Sequence, residues 1–307
     1  MGENDVELTT HSVHLDAASL ARVKGLSLRA RAVVDGVLQG VHKSPHHGIS
    51  IEFSEHKEYT PGDELRHIDW RAAGRLDKLF VKRFEQETHT RAYFVIDTSG
   101  SMGYAGSDRL SKFDYCGVLA VSLGYLLLGQ QDAVGLVTCA DKVTAVLPPR
   151  ARSSHLMQMC EVLAKQRPDG GTSLVEALAA LNETARKRSL IFLFSDFFSK
   201  DHPDAFGALR RMVSRGHQVT AFHVLDGDEL TFPFEGMAMF EGMEKRHRLL
   251  AEPRLIRQRY LARLNAHMDG VRKRCSEAQV AYTLVDTSQA PGVVLSRYLA
   301  SQSAPRS

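Results

Sequence analysis

The sequence is short of cysteine and tryptophan, and it has no hydrophobic run long enough to cross a bilayer. Its four cysteines are scattered over 307 residues without a C-x-x-C pair, so neither a disulfide framework nor a paired-cysteine zinc site is indicated. The longest apolar run, 118–129, is shorter than the roughly 20 residues that a membrane-spanning helix needs. The first residues also lack the basic-then-apolar order of a signal peptide. We therefore expect a cytoplasmic protein with reduced thiols and no membrane span.

An excess of charge of one sign is also lacking. The formal net charge is only +3, and basic residues are interspersed with acidic ones. A nucleic-acid partner is therefore not indicated. The basic stretch RKR at 186–188 lies between a predicted helix and a predicted strand, where a solvated turn is the ordinary interpretation. With 43% hydrophobic and 24% charged residues, the composition is that of an ordered globular protein.

Residues 89–303 alternate between predicted strands and predicted helices. The strands are expected at 92–97, 132–139, 142–147, 189–195, 217–224 and 279–285, and the helices at 111–129, 153–165, 173–186, 203–214, 253–276 and 290–301. Several strands, such as 190–194, are continuous apolar runs, which is typical of strands that helices cover on both faces. We therefore predict an α/β fold with a doubly wound, mostly parallel sheet.

The rest of the chain has a different pattern. In the N-terminal segment 1–45, apolar residues recur at helical spacing and predict a helix at 16–40. Residues 46–88 contain short strand-like pieces at 51–53 and 79–84 between turn sequences, which indicates a small β-rich unit. Residues 228–252 interrupt the α/β alternation with a pattern typical of a β-hairpin. We expect this hairpin to join the 46–88 unit.

Oxygen-bearing side chains are concentrated in three loops that follow predicted strands or precede a predicted helix. These loops are DTSGSM at 97–102, GGTS at 170–173 and SD at 195–196. In a doubly wound sheet, ligands bind at the carboxyl ends of the strands, so the three loops are expected at one rim. Carboxylates and hydroxyls suit Mg²⁺ or Mn²⁺, whereas zinc prefers the nitrogen and sulfur ligands that are missing here. The sequence therefore predicts a divalent-metal site.

This arrangement resembles the metal ion-dependent adhesion site of von Willebrand factor A-type domains, in order and in strand context. The resemblance implies a von Willebrand A-like fold in which the metal is held by five residues, Asp97, Ser99, Ser101, Thr172 and Asp196. It also implies that a partner's Asp or Glu completes the coordination of the metal. The same hydroxyls could instead cap helices and turns, and both roles can hold together.

A second motif, YTPGDELRHIDWR at 59–71, resembles the bacterial domain-of-unknown-function 58 family, in which such a segment precedes the metal-site domain. The resemblance covers roughly residues 45–300, and Gly74 departs from it where relatives more often carry Ser or Ala. Taken by itself, the motif is more easily explained as a scaffold than as a second active site. The resemblance implies a MoxR-type AAA+ ATPase as the leading partner.

The function expected from these features is divalent-metal-dependent protein binding, in complex assembly or remodelling, with Mg²⁺ or Mn²⁺ as the cofactor. A partner could also recruit the protein to a membrane surface. The alternative is a metal-dependent phosphotransferase or hydrolase. A dehalogenase-type phosphotransferase needs a second Asp where Ser99 stands, and the sequence has neither a G-x-S-x-G elbow nor a G-x-x-x-x-G-K-[ST] loop. We therefore expect that the protein is not an enzyme.

Overall fold

Residues 17–42, 57–58, 80–81, 90–199, 202–243 and 248–303 are described by the structure, a computed structural model. In these ranges the helices are α1 (Ala17–His42), α2 (Lys112–Gly129), α3 (Ser153–Lys165), α4 (Leu174–Thr184), α5 (His202–Ser214), α6 (Gly227–Thr231), α7 (Pro253–Glu277) and α8 (Pro291–Ser303). The strands are β1 (Lys57–Glu58), β2 (Phe80–Val81), β3 (Arg91–Asp97), β4 (Ala133–Cys139), β5 (Val143–Arg150), β6 (Leu190–Ser195), β7 (Gln218–Leu225), β8 (Ala238–Glu241), β9 (Arg248–Ala251) and β10 (Ala281–Asp286).

The centre of the fold is a six-stranded sheet in the order β10-β7-β6-β3-β4-β5. Every neighbouring pair is parallel except β4 with the edge strand β5. The chain leaves β3 toward β4 on one side and later returns to β6 on its other side. The connections therefore diverge between β3 and β6, which is where doubly wound sheets bind ligands. The predicted doubly wound, mostly parallel α/β fold is confirmed.

Helices cover both faces of the sheet. Alternate strand residues point to opposite faces, and both faces are apolar. Phe94 and Ile96 belong to a core shared with α1, α2, α3 and α8, whereas Tyr93 and Val95 face a second core shared with α4, α5 and α7. All four of these β3 side chains are buried. The central strand is thus buried from Ala92 to Asp97, its last residue, where the polar loop begins.

Helix α2 is the most apolar helix of the fold and packs between the sheet and α1. Its length and composition would be enough to cross a membrane, and 67% of it is buried inside the protein. Ser111 caps its start by accepting a hydrogen bond from the Asp114 backbone N–H at 3.0 Å. Ser122, on the buried side of α2, contacts the Ala30 carbonyl of α1 at 3.3 Å.

The region after β7 holds one element that the sequence pattern did not indicate. The predicted hairpin is present as β8 paired antiparallel with β9, but the short helix α6 precedes it. Asp226 and Glu229 form a reciprocal capping box, which stabilises a helix too short to show a hydrophobic period.

The short pair β1–β2 lies in the predicted 46–88 unit. The 59–71 motif and most of that unit lie outside the described residues, and the predicted domain boundaries stay predictions. All four cysteines are free and buried.

Candidate functional site

Asp97, the last residue of β3, is buried at the point where the sheet connections diverge. Its Oδ1 accepts a hydrogen bond from the Ser99 backbone N–H at 2.9 Å, and its Oδ2 accepts one from Ser195 Oγ at 2.6 Å. Ser195 ends the neighbouring strand β6, and the β3–β6 register pairs Ile96 with Phe194. Strand register therefore brings the 97–101 loop and the 195–196 loop side by side.

Of the two serines of the first loop, Ser101 contacts the second carboxylate. Ser99 Oγ and Ser101 Oγ lie 3.2 Å apart, and Ser101 also hydrogen-bonds the Asp196 side chain. Ser101 is part of a single 3₁₀ turn, Gly100–Gly103, that follows Ser99. The loop thus brings Asp97, Ser99, Ser101 and Asp196 together; that they hold a metal stays a prediction.

Gly100 is required in this loop by close approach of two other segments. Its N–H donates to the Gly170 carbonyl at 2.9 Å, and a Cβ at this position would lie 2.6 Å from the backbone oxygen of Met243. Met243 follows β8 in the hairpin region. Any larger residue would therefore push the hairpin away from the loop.

Thr172 lies on the third loop, which is held against the other two by backbone contacts. The Asp169 N–H donates to the Thr98 carbonyl at 3.0 Å, and Ser199 Oγ donates to the Thr172 carbonyl at 2.9 Å. The Thr172 Oγ1 atom is itself buried and has no hydrogen-bond partner among the described residues. Burying a hydroxyl without a partner costs about 1–3 kcal/mol, so a buried group of this kind calls for an explanation.

Asp196 carries a partner that sequence reasoning missed. The ammonium of Lys112, the first residue of α2, lies 2.8 Å from Asp196 Oδ2 and 2.8 Å from Glu229 Oε1. Lys112 and Asp196 are both completely buried. Phe198 completes the surroundings: its N–H donates to Asp196 Oδ1 at 3.1 Å, and its ring lies 5.2 Å from the ammonium.

The two carboxylates differ in charge balance. Burial and the neighbouring Asp196 raise the pKa of Asp97 to about 7, although hydrogen bonds from Ser195 and Ser99 act in the opposite direction. Burial would also raise the pKa of Asp196, but Lys112 outweighs it, so that this pKa lies below its ordinary value. Asp97 has no cationic partner among the described residues. A buried negative charge at Asp97 is therefore only partly compensated.

The lysine is balanced in turn by two acids. Burial acts to lower the pKa of the Lys112 ammonium, but Asp196 and Glu229 outweigh burial and raise it. Glu229 belongs to an acidic cluster that directly follows β7, and its neighbour Asp226 is completely buried. Asp226 accepts hydrogen bonds from Arg109 Nη2 at 2.9 Å and Thr287 Oγ1 at 2.6 Å. The sequence DGDE after an apolar strand was the available signal for this cluster.

The residues at the rim fit a hard divalent cation. Two buried carboxylates, two serine hydroxyls and the unpartnered Thr172 hydroxyl are oxygen donors of the kind that Mg²⁺ and Mn²⁺ prefer. Only two of these five are carboxylates, and the described residues contain no metal-binding group of three or more His, Cys, Asp or Glu side chains. A cation here would therefore depend on the hydroxyls. The two observations that support the fit are the buried, unpartnered Thr172 Oγ1 and the only partly compensated charge of Asp97.

Comparison with known proteins places the chain in a family. Uncharacterized proteins of Mycobacterium tuberculosis and Mycobacterium bovis are 26% identical to it over 232 residues, which is 75% of this chain and 72% of theirs. Among solved structures, an aerotolerance-related membrane protein from Bacteroides fragilis aligns with 69% of this chain and 99% of its own, at 18% identity and a TM-score of 0.45. The SpRpn10 VWA domain aligns with 67% and 93%, at 12% identity and a TM-score of 0.38. Residues 55–270 match the family described as protein of unknown function DUF58, and the chain belongs to that family.

Proposed function

We propose that this chain is a protein-interaction module that depends on a divalent cation, Mg²⁺ or Mn²⁺. The proposed metal-holding residues are Asp97, Ser99, Ser101, Thr172 and Asp196. The observation that carries the proposal is the Thr172 hydroxyl, which is buried without a partner on the loop that hydrogen-bonds to the 97–101 loop. A cation would give this hydroxyl a partner and would balance the charge on Asp97.

When bound, the cation supplies a positive centre that a partner's Asp or Glu side chain can contact through a charge-assisted bond. The chain's own residues orient this centre. Ser195 and the Ser99 N–H fix the Asp97 carboxylate, while Lys112 and the Phe198 N–H fix Asp196. Both carboxylates are thereby held by their neighbours before any ligand arrives, which reduces the ordering cost of binding.

A binding role is favoured over catalysis by the surroundings of the serines. Ser99 and Ser101 bond each other, and Ser101 also bonds the Asp196 carboxylate; among the described residues no imidazole lies within hydrogen-bond distance of either hydroxyl. His267 Nε2 lies 3.1 Å from the Asp196 backbone carbonyl instead. Activating a serine requires an adjacent base, so this arrangement suits a ligand better than a nucleophile.

The hairpin beside the site supports a protein as the partner. Met243 contacts the Gly100 loop, and side chains on the hairpin expose apolar surface close to it. Met239 and Leu250 are paired across β8 and β9 and are each 58% exposed. An acidic side chain flanked by apolar residues would match both features. Following the family resemblance, we assign this role to a MoxR-type AAA+ ATPase or its client, in the cytoplasm or at a membrane surface to which the partner recruits the chain.

The metal site can be tested with two matched threonine variants. Thr172→Val removes the proposed ligand hydroxyl, and Thr98→Val removes another buried hydroxyl that also lacks a partner but is not assigned to the metal. Isothermal titration with Mg²⁺ and Mn²⁺ should show binding to the wild-type chain and to Thr98→Val, with an affinity at least tenfold weaker in Thr172→Val. Asp97→Asn should abolish binding, whereas Asp269→Asn on the exposed face of α7 should not change it.

The partner proposal needs a separate measurement. Capture of a MoxR-type ATPase by the chain should weaken when Mg²⁺ is replaced by EDTA, and Thr172→Val should weaken capture in the presence of Mg²⁺. Equal Mg²⁺ affinity in the two threonine variants would overturn the ligand assignment. Normal metal binding combined with EDTA-insensitive capture would overturn the bridging role alone.

A further inference from the structure

The opposite end of the sheet carries a second concentration of charge, and this one is basic. A cavity of about 940 Å³ opens at the amino ends of the parallel strands β3, β4, β6 and β7, beside the carboxyl end of the antiparallel strand β5. Five cationic side chains line it: Arg91, Arg150, Arg186, Lys187 and Arg188. Three of them form the turn after α4, which the sequence pattern alone predicted to be solvated.

These cations are not neutralised within the part of the chain that the structure describes. None of the five takes part in a salt bridge there. The one carboxylate among the described lining residues, Asp132, accepts a hydrogen bond from the Thr90 backbone N–H at 2.8 Å. The local excess of positive charge therefore exceeds the formal net charge of +3 of the whole chain. Although the net charge of the protein is small, this cavity is surrounded by excess positive charge. Such a cavity attracts an anionic ligand.

The backbone of the turn is fixed by a local hydrogen bond. Arg188 adopts a left-handed conformation with φ of 62°, which glycine or asparagine would adopt at lower cost. Ser189 Oγ closes the turn by donating to the Arg186 carbonyl at 2.6 Å.

We propose that this cavity binds a compact anion that carries several phosphate groups. Arginine guanidinium groups form paired hydrogen bonds with phosphate oxygens, and four of the five cations are arginines. The cavity volume is at the upper end of the range of small-molecule sites, about 300–1,000 Å³, and its shape is concave. The described lining contains no aromatic side chain on which a nucleic-acid base could stack. These features favour a small polyphosphate over a nucleic-acid strand.

The site is separate from the proposed metal site, so it can be tested in EDTA. Isothermal titration at low salt should show that tripolyphosphate binds at least tenfold more tightly than orthophosphate, because a single phosphate engages fewer of the cations. The phosphate groups could belong to an inorganic polyphosphate or to a nucleotide, and titration with ATP in EDTA distinguishes the two. Affinity equal to that of tripolyphosphate assigns recognition to the phosphate chain, and tighter binding assigns it to a nucleotide. Both results support a phosphate site.

Charge-reversal variants locate the site. The double variant Arg186→Glu with Arg188→Glu should weaken tripolyphosphate binding at least tenfold, and Lys187→Glu alone should weaken it by a smaller factor. The matched control reverses Arg259 and Arg263, which are exposed on α7 and line no part of the cavity. It makes the same change in net charge and, when the variants are compared at about 0.15 M salt, should leave the affinity within about twofold, since charges more than about 8 Å apart are then largely screened.

Several results would overturn the proposal. One is equal weakening by the α7 control, which would mean that only the overall charge matters. Another is tighter binding of a single-stranded oligonucleotide or of phosphatidylserine vesicles than of tripolyphosphate. The absence of tripolyphosphate binding at millimolar concentration to wild-type protein whose folding is verified by circular dichroism would overturn it as well.

Discussion

Charged side chains are buried and mostly paired at one end of the central sheet, and mostly exposed and unpaired among the described residues at the other. At the carboxyl end, Asp97, Asp196 and Lys112 are completely buried, and Lys112 joins Asp196 to Glu229. At the amino end, the cations around the cavity are mostly exposed and have no ion pair among the described residues. Loss of a charge should therefore change stability at the carboxyl end, whereas at the amino end it should change ligand binding and leave stability nearly constant.

The difference follows from solvation. A charge removed from water must be balanced by its neighbours, so the carboxyl end is constrained by the folding of the chain itself. An exposed guanidinium is already stabilised by water and contributes little to folding. It stays available to a ligand.

The largest effect is expected from Lys112→Met. This change leaves the Asp196 and Glu229 carboxylates buried without their cation, and breaking a buried pair in this way costs about 3–5 kcal/mol. Urea denaturation in EDTA should show this loss in the free energy of unfolding. Lys165→Met, at the exposed end of α3, is the control and should change stability by less than about 0.5 kcal/mol. Similar small losses in both variants would contradict the contrast between buried and exposed charge.

An intermediate effect is expected from the pH dependence that Asp97 imposes on the metal-free protein. Its pKa is raised from 3.8 to about 7 by burial and by Asp196, so the folded chain holds this proton over a range in which the unfolded chain has released it. The contribution of Asp97 is therefore full below pH 3.8 and is lost as pH rises through 7, at a cost of at most about 4 kcal/mol.

Denaturation in EDTA at a series of pH values checks this sign. Because other carboxylates titrate in the same range, the informative quantity is the difference between wild type and Asp97→Asn. The stability of wild type relative to the variant should fall as pH rises from 4 to 7. Parallel pH profiles would show that Asp97 is not the group responsible.

The sequence could place the candidate site residues at one rim because each of their loops directly follows a predicted strand or precedes a predicted helix. An apolar strand that ends in Asp97, together with the parallel order of the strands, is enough to place Asp196 at the same rim. Lys112 could not be found in this way. A lysine at the first position of an apolar helix ordinarily faces water, and only the packing of α2 on the sheet turns its ammonium toward Asp196.

The amino-end cavity escaped prediction for a related reason. The RKR stretch was visible, but Arg91 and Arg150 come from strands far apart in the sequence. No local pattern links them. Helix α6 was missed because its stability comes from the Asp226–Glu229 capping box and not from a hydrophobic period.

The smallest change in the free energy of unfolding is expected at Arg188. Its sign is opposite to that expected for the buried charges at the other end of the sheet. Arg188→Asn places a residue that tolerates positive φ in the left-handed position, so the free energy of unfolding should rise by about 0.5 kcal/mol. The same change removes a cation from the cavity and should weaken tripolyphosphate binding. Lys187→Asn, one position earlier and not at positive φ, is the matched control: it should weaken binding without increasing stability. Thermal denaturation and titration of both variants measure the two effects. Loss of stability in Arg188→Asn would mean that the arginine side chain serves the fold, as the buried charges at the other end of the sheet do.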